Sequence, residues 1–187
     1  MLGYLSPISH WKQWIAAGMP ASDDSTPFNK HSDLNRCRID SPNGPLTLTI
    51  PVKKFERKSC PLSEVCISEH GDWRHKHWHA LASTYFNSPY FEYYQDDFRP
   101  IYFGQQERLI DFNNQLNTLV AELLNVEALK RSAINGQLST EQYYQVFAHK
   151  HSFIADLSII DLLFNMGPEA ILRLGPPPTP PLWGEER

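Results

Sequence analysis

The segment from residue 67 to residue 100 constrains the fold most, because aromatic, histidine and carboxylate side chains are densest there. Asp72 is a candidate N-cap for a helix that begins at Trp73. On a helical wheel, one side of this helix collects Trp73, His77, Trp78, Leu81, Thr84 and Tyr85. His77 is therefore expected in the middle of an apolar face, whereas His75 and His79 should project toward solvent.

The end of this segment predicts a change from helix to strand. Asn87-Ser88-Pro89 should end the helix, since the residue before a proline disfavours helical backbone. Tyr90 to Tyr94 then reads as a short aromatic strand. Its rings would belong to the core or would stack on a sugar ring.

The N-terminal third predicts the small sheet. Residues 35–39 alternate polar and apolar side chains, Asn43-Gly44 marks a turn, and residues 46–52 alternate again. This pattern is typical of a β-hairpin, and Val65-Cys66-Ile67 is a third short strand in the prediction. Before the hairpin, Trp11 to Ala17 is expected to form a short helix.

Amphipathic patterns predict three helices in the C-terminal half. Residues 108–124 carry one apolar stripe, and Asn113 lies inside it, where a buried amide needs hydrogen-bond partners. Ser139-Thr140-Glu141-Gln142 has the capping-box pattern and predicts a helix that continues through Phe147. Ser158 is the expected N-cap of a helix over residues 159–165.

Composition bounds the class of protein. The 187 residues are 41% hydrophobic, enough for one sizeable core, so we expect a single domain over residues 1–175. The proline-rich residues 176–187 should form a disordered tail. A formal net charge of −4 argues against a nucleic-acid partner, which needs clustered cations. No run approaches the 18 apolar residues of a membrane span, and three cysteines without a CxxC pair fit a reduced, cytoplasmic protein.

Candidate site residues come from two parts of the chain. Arg36 beside Asn35 is well shaped to bind a carboxylate or phosphate, or it pairs with a structural carboxylate such as Asp96 or Asp97. Cys37, between two arginines, is either an activated thiol or, in the plainer interpretation, a buried and inert one.

His77 is the best candidate general acid or base, with Trp73 beside it and the helix of Asn113 within reach. The alternative for His77 is a core histidine whose nitrogens are satisfied by neighbours. Zinc is not expected, because a single helix presents at most two of the clustered histidines and no familiar ligand spacing completes the set. The sequence names no cofactor.

Several blocks of the sequence resemble the WbqC-like protein family. They are Asn35-Arg36-Cys37, Gly44-Pro45-Leu46, residues 48–52, 70–74, His77-Trp78, Tyr85, residues 89–94, 111–113, 157–165 and Gly167-Pro168-Glu169. The family is named for a protein of bacterial O-antigen gene clusters, so the resemblance implies work on a sugar or sugar-nucleotide precursor. Related sequences open with an apolar strand, of which this chain retains only Met1-Leu2-Gly3.

The predicted fold is α/β, with a short central sheet flanked by helices and a C-terminal helical part. By analogy, a strand, a proline turn and a helix at the start would suit a degenerate nucleotide-binding, Rossmann-like topology. Two functions follow as expectations. The first is a transferase that uses His77 as catalyst and Asn35, Arg36, Trp73 and Asn113 to bind a small-molecule or sugar-nucleotide substrate. The second is a non-catalytic ligand-binding or scaffold protein of a carbohydrate-assembly pathway.

Overall fold

The computed structural model describes residues 1–29, 33–55, 60–127 and 142–175. The helices are α1 (Ile8–Ala16), α2 (Trp73–Tyr85), α3 (Phe91–Tyr102), α4 (Leu109–Leu123), α5 (Ala148–His151), α6 (Ile159–Met166) and α7 (Ile171–Leu174). The strands are β1 (Arg36–Ile39) and β2 (Leu46–Thr49), and short 3₁₀ helices span Leu62–Glu64 and Gly167–Ala170. Across the described ranges, no helix is long and apolar enough to cross a membrane. The single domain over residues 1–175 stays a prediction, and the predicted tail lies outside the described residues.

The predicted hairpin is confirmed. β1 and β2 pair antiparallel, with Arg36 opposite Thr49 and Ile39 opposite Leu46. The turn between them closes at Gly44, whose amide donates to the carbonyl of Ser41 at 3.0 Å. Gly44 has a φ of 97°, a backbone conformation that favours glycine.

The prediction of a third strand at Val65-Cys66-Ile67 is wrong. Cys66 and Ile67 make only isolated bridges, to Arg108 and Val52 respectively. Pro51 limits the pairing next to Val52, because proline has no amide proton to donate to a neighbouring strand. The described fold is therefore a mixture of helices and a two-stranded sheet, consistent with the α/β class. A Rossmann-like topology is not confirmed, since the described strands pair antiparallel.

Helix α2 has the predicted start and ends before Asn87, but its predicted cap is wrong. Asp72 stands at the N-cap position with a φ of 52°, and its side chain caps no backbone amide. In this left-handed conformation the carboxylate instead lies 2.6 Å from Nδ1 of His75. As expected, His77 is buried, whereas His75 and His79 are exposed.

The predicted strand at Tyr90 to Tyr94 is also wrong, because these residues enter helix α3. Phe91, Phe98 and Tyr102 are the buried residues of α3, spaced seven and four apart as one helical face requires. Phe91 and Phe98 both pack edge-on against Phe164 of α6, at centroid distances of 5.3 and 5.4 Å. Tertiary packing thus overrides the strand preference of the aromatic residues.

The helix predicted from the capping box does not form as expected. Ser139, Thr140 and Glu141 lie outside the described residues, and residues 142–147 are irregular. Gln145 is buried there and pairs with the backbone of Ile154 in both directions, at 2.8 and 2.9 Å. Those bonds, together with the bond from Tyr143 to Asp161, attach the segment to Ile154 and to α6.

Asp161 of α6 is fully buried and accepts hydrogen bonds from the hydroxyls of Tyr85 and Tyr143 and from Gln145. Burial raises the pKa of its carboxyl to about 6, although the tyrosine hydrogen bonds lower it. Asp161 thereby joins α2, the segment before α5, and α6.

The remaining helices agree with the sequence patterns. Helix α4 covers the predicted stripe, and α1 includes most of the predicted short helix. Ser158 caps α6 by accepting a hydrogen bond from the amide of Ile160. Gly167 ends α6, and a Cβ there would lie 2.4 Å from the ring of Tyr90, so only glycine fits.

The N-terminal segment Gly3 to Ser6 runs through the core rather than over it. Tyr4, Leu5 and Ser6 are completely buried. The amide of Tyr4 donates to the carbonyls of Asp33 and Leu34, at 3.1 and 3.2 Å. The helices and the hairpin are therefore assembled around a buried segment in which Tyr4 and Leu5 form a turn, and which the sequence pattern did not reveal.

Substitution of Gly3 tests this placement. A Cβ on Gly3 would lie 2.3 Å from the carbonyl oxygen of Asp33, which is backbone and cannot rotate away. We expect Gly3→Ala to lower the free energy of unfolding by about 1–3 kcal/mol, measured by chemical denaturation. Gly104→Ala is the matched control, because its Cβ would meet only the flexible end of Gln106. Equal losses in the two variants would contradict the placement.

Candidate functional site

His77 lies in a chain of hydrogen bonds that connects three parts of the fold. Its Nδ1 is 2.9 Å from the hydroxyl of Tyr4, which is in turn 2.8 Å from the hydroxyl of Tyr102. The two hydroxyls and the ring nitrogen form one continuous chain, in which the direction of donation follows the tautomer of His77. The N-terminal segment, α3 and α2 meet in this chain.

Burial decides the charge of His77. Only 6% of the residue is exposed, its ring stacks on Tyr4 at a centroid distance of 5.6 Å, and Trp73 packs edge-on at 5.1 Å. Burial lowers the pKa of His77 to about 4, against a smaller opposing effect of the Thr49 carbonyl. The imidazole is therefore neutral at neutral pH, and its Nδ1 is hydrogen-bonded to Tyr4. Its catalytic role stays a prediction.

Two buried amides flank this network. Asn35 donates to the carbonyl of Ile50 at 2.9 Å, and Asn113 donates to the carbonyl of Leu34 at 2.7 Å. Each amide orients its nitrogen toward backbone, and each Oδ1 has no hydrogen-bond partner. The hydrogen-bonding capacity of the buried Asn113 amide is thus only partly used.

Trp73 and Arg36 also keep a buried donor without a partner. These are the indole Nε1 of Trp73, which packs edge-on against Phe112 at 5.4 Å, and the Nε of Arg36. The alternative pairing of Arg36 with Asp96 or Asp97 is not formed, because both carboxylates are exposed on α3 and no ion pair joins them to Arg36.

Unpaired buried polar atoms are concentrated at the predicted binding residues. The described residues contain eight buried side-chain nitrogen or oxygen atoms without a partner, and four of them belong to the predicted binding residues Asn35, Arg36, Trp73 and Asn113. Unused hydrogen-bonding capacity in a core is destabilising, so its concentration at these residues is consistent with a ligand site.

The structure brings only part of the predicted set together. Asn35, Trp73, His77 and Asn113 surround the N-terminal segment through Leu34, Phe112 and Tyr4. Arg36 is half-buried, and no hydrogen bond or ion pair joins it to them. Sequence reasoning missed Tyr4 and Tyr102 altogether, because neither lies in a pattern that predicts contact with His77.

Cys37 is buried in the core face of β1. Burial raises the pKa of its thiol, which keeps it protonated and unreactive. The structure therefore favours the packing role of this cysteine over the nucleophilic one. In the described part of the chain, no group of three or more histidine, cysteine or carboxylate side chains is placed to hold a metal ion.

A pH titration of stability tests the burial of His77. Its pKa is about 6.5 in the unfolded chain and about 4 in the fold, so acidification protonates the unfolded state first. Titration of His77 leaves the free energy of unfolding almost unchanged above pH 6.5. It should lower that free energy by about 3 kcal/mol as the pH drops to 4. Asp161 acts in the opposite direction, since its raised pKa makes the folded state bind a proton first.

Because His77 and Asp161 have opposite effects, the pH dependence of the wild type must be compared with that of a variant without His77. Relative to His77→Asn, the wild type should lose about 3 kcal/mol between pH 6.5 and pH 4, measured by urea unfolding. His79→Asn, exposed on the same helix, should run parallel to the wild type. A constant difference between wild type and His77→Asn would show that His77 is solvated.

Comparison with known proteins adds one positive finding. A family model described as the WbqC-like protein family matches residues 3–139, more than half of the chain. The matched residues include Asn35, Arg36, Trp73, His77 and Asn113 and end before the resembling block over residues 157–169. No curated protein and no solved structure matched. The chain belongs to the WbqC-like protein family.

Proposed function

We propose that this protein acts on a sugar or sugar-nucleotide precursor in the biosynthesis of bacterial surface polysaccharide of the O-antigen type. The family name supports the pathway. Within it, we propose a transferase whose substrate binds beside the N-terminal segment, at Asn35, Arg36, Trp73 and Asn113.

The observation that carries the proposal is the unused hydrogen-bonding capacity of these side chains. Asn35 and Asn113 each hold an amide oxygen without a donor, and Trp73 holds an indole N–H without an acceptor. Sugar hydroxyls both donate and accept, so they complement such a mixed set. Each pairing would relieve a buried group that is costly to leave unpaired.

Arg36 has the chemistry to bind the charged part of such a substrate. Its guanidinium makes no ion pair with a described carboxylate, and its Nε is buried without a partner. A planar guanidinium binds phosphate or carboxylate through two parallel hydrogen bonds. In this proposal Arg36 binds the phosphate of a sugar nucleotide.

His77 would act as a base rather than as an acid. It is neutral in the fold because burial lowers its pKa to about 4. A neutral imidazole can accept a proton, and the group that faces Nδ1 is the hydroxyl of Tyr4. A proton that reaches Nδ1 of His77 would therefore pass through Tyr4, whose hydroxyl is also bonded to Tyr102.

The alternative function is a non-catalytic ligand-binding or scaffold protein of the same pathway. The observation in its favour is that His77 is buried and its Nδ1 is already engaged with Tyr4, which is completely buried. Turnover separates the two functions once a substrate is found. A folded His77→Asn protein with full turnover would remove His77 from the mechanism, whereas a transferase should lose about 10²- to 10⁴-fold.

The ligand claim is tested at Arg36. Arg36→Lys keeps the charge but not the planar fork, so the Kd for a bound nucleotide sugar should rise about tenfold or more, with an unchanged melting temperature. UDP-glucose and UDP-N-acetylglucosamine are suitable probes for calorimetry. A stabilising ligand should also raise the melting temperature of the wild type.

Arg38→Lys is the matched control, because Arg38 lies two residues along β1 and donates only to backbone carbonyls, of Ala155 and Asp156. Its Kd for the nucleotide sugar should equal that of the wild type. Equal effects of the two substitutions, or unfolding of Arg36→Lys, would contradict a ligand role for Arg36.

A further inference from the structure

A cleft lies outside the predicted site, between the C-terminal ends of α1 and α4. Its volume is about 880 Å³, and its lining includes Trp14 and Met19 on the α1 side and Asn117 and Glu122 on the α4 side. None of the predicted site residues lines it. The cleft adjoins the predicted site through the N-terminal segment and α4, because Leu2 and Asn114 form part of its wall.

Both helices end at this cleft in a similar way. After α1, Met19 has a φ of 58° and its amide donates to the carbonyl of Trp14 at 2.9 Å. After α4, Asn125 has a φ of 50°, and the next amide, of Val126, donates to the carbonyl of Ala121 at 3.1 Å. Met19 and Asn125 both line the cleft. It therefore receives the negative ends of two helix dipoles.

The charged side chains add to this negative potential. Asp24 and Glu122 contribute carboxylates, and the lining residues that the structure describes include no lysine or arginine. Phosphate or carboxylate groups would be repelled here, whereas hydroxyl and ammonium groups would be attracted. A single metal ion is not the expected occupant, because the described carboxylates form no group that could hold one.

Asn117 independently indicates a ligand. It is 9% exposed, lines the cleft, and donates through Nδ2 to the carbonyl of Gly3 at 3.1 Å. Its Oδ1 is buried without a partner. That oxygen needs a donor such as a hydroxyl or amine, since an unpaired buried acceptor is costly.

Trp14 supplies a fixed aromatic surface. Its indole Nε1 donates to the carbonyl of Pro20 at 2.9 Å, and its ring packs edge-on against the buried Trp11 at 5.4 Å. Both contacts fix the orientation of the ring. Binding of a ligand would therefore cost little side-chain entropy at Trp14. A rigid aromatic ring offers apolar area beside polar groups, which suits the apolar face of a sugar.

We propose that the cleft between α1 and α4 binds a neutral or amino-bearing sugar ring and excludes acidic sugars. Trp14 stacks on the ring, Asn117 accepts a hydrogen bond from it, and Glu122 with Asp24 favours an amino group. This site is distinct from the one assigned to the nucleotide sugar. Only its role as the place of the acceptor sugar rests on the proposed function; binding itself does not.

The test compares three monosaccharides in saturation-transfer NMR titrations of the full chain. Glucosamine should bind most tightly, glucose more weakly, and glucuronate not measurably, because charge is the only large difference among them. Glu122→Gln should reduce the preference for glucosamine over glucose. Trp14→Leu should weaken both sugars about tenfold, and Asp96→Asn, an exposed carboxylate on α3, should change neither.

Two outcomes would overturn this inference: no saturable binding of glucosamine or glucose, or glucuronate binding as tight as glucosamine binding. If Trp14→Leu does not fold, the exposed Glu122→Gln carries the test alone. Arg36→Lys should leave monosaccharide binding unchanged. A wild-type protein that binds the monosaccharides but no nucleotide sugar would thus contradict the proposed function alone, and one that binds a nucleotide sugar but neither monosaccharide would contradict the cleft alone.

Discussion

The burial of the N-terminal segment is the interaction on which the rest of the structure depends. Tyr4 joins the segment to α2 and α3 through its hydroxyl, and Asn117 of α4 holds the carbonyl of Gly3. At the other end, Ser158 donates to the carbonyl of Leu5 at 2.7 Å and thereby attaches the start of α6. Burial of Tyr4 is possible because its hydroxyl is paired on both sides and its amide is paired with the loop before β1.

Local sequence patterns were sufficient for elements whose own residues determine them. The hairpin follows from alternation around Asn43-Gly44, and α6 follows from the cap at Ser158. Local patterns were insufficient where contacts between residues far apart in the sequence determine the structure. Tyr90 to Tyr94 has strand-forming residues, yet packing of Phe91 and Phe98 on Phe164 selects a helix. Gln145 likewise exchanges hydrogen bonds with Ile154 instead of joining a helix.

The candidate site was partly predictable for the same reason. Helical periodicity placed His77 and Asn113 in the interior, and both are buried. The partner of His77 could not be predicted, because contact with Tyr4 spans 73 residues and follows no local pattern. The cleft between α1 and α4 was missed, although Asn117 lies one helical turn from Asn113 on the same stripe. A second amide at that spacing was a signal that this face of α4 carries more than core.

The two candidate binding regions share one wall. Asn113 bonds the carbonyl of Leu34, next to the N-terminal segment, and Asn117, one turn further along α4, bonds the carbonyl of Gly3 within it. A substrate at either place would therefore contact side chains whose position depends on Gly3 and Tyr4. The segment that stabilises the core is thus next to both regions.

Native-state hydrogen exchange at the amide of Tyr4 tests this central role most directly. The amide donates to the carbonyls of Asp33 and Leu34, and the residue is completely buried. If the segment holds the fold together, this amide should exchange only through global unfolding, with the same opening free energy as the most protected amides of α4 and α6. An opening free energy near zero, as at a frayed terminus, would contradict the account.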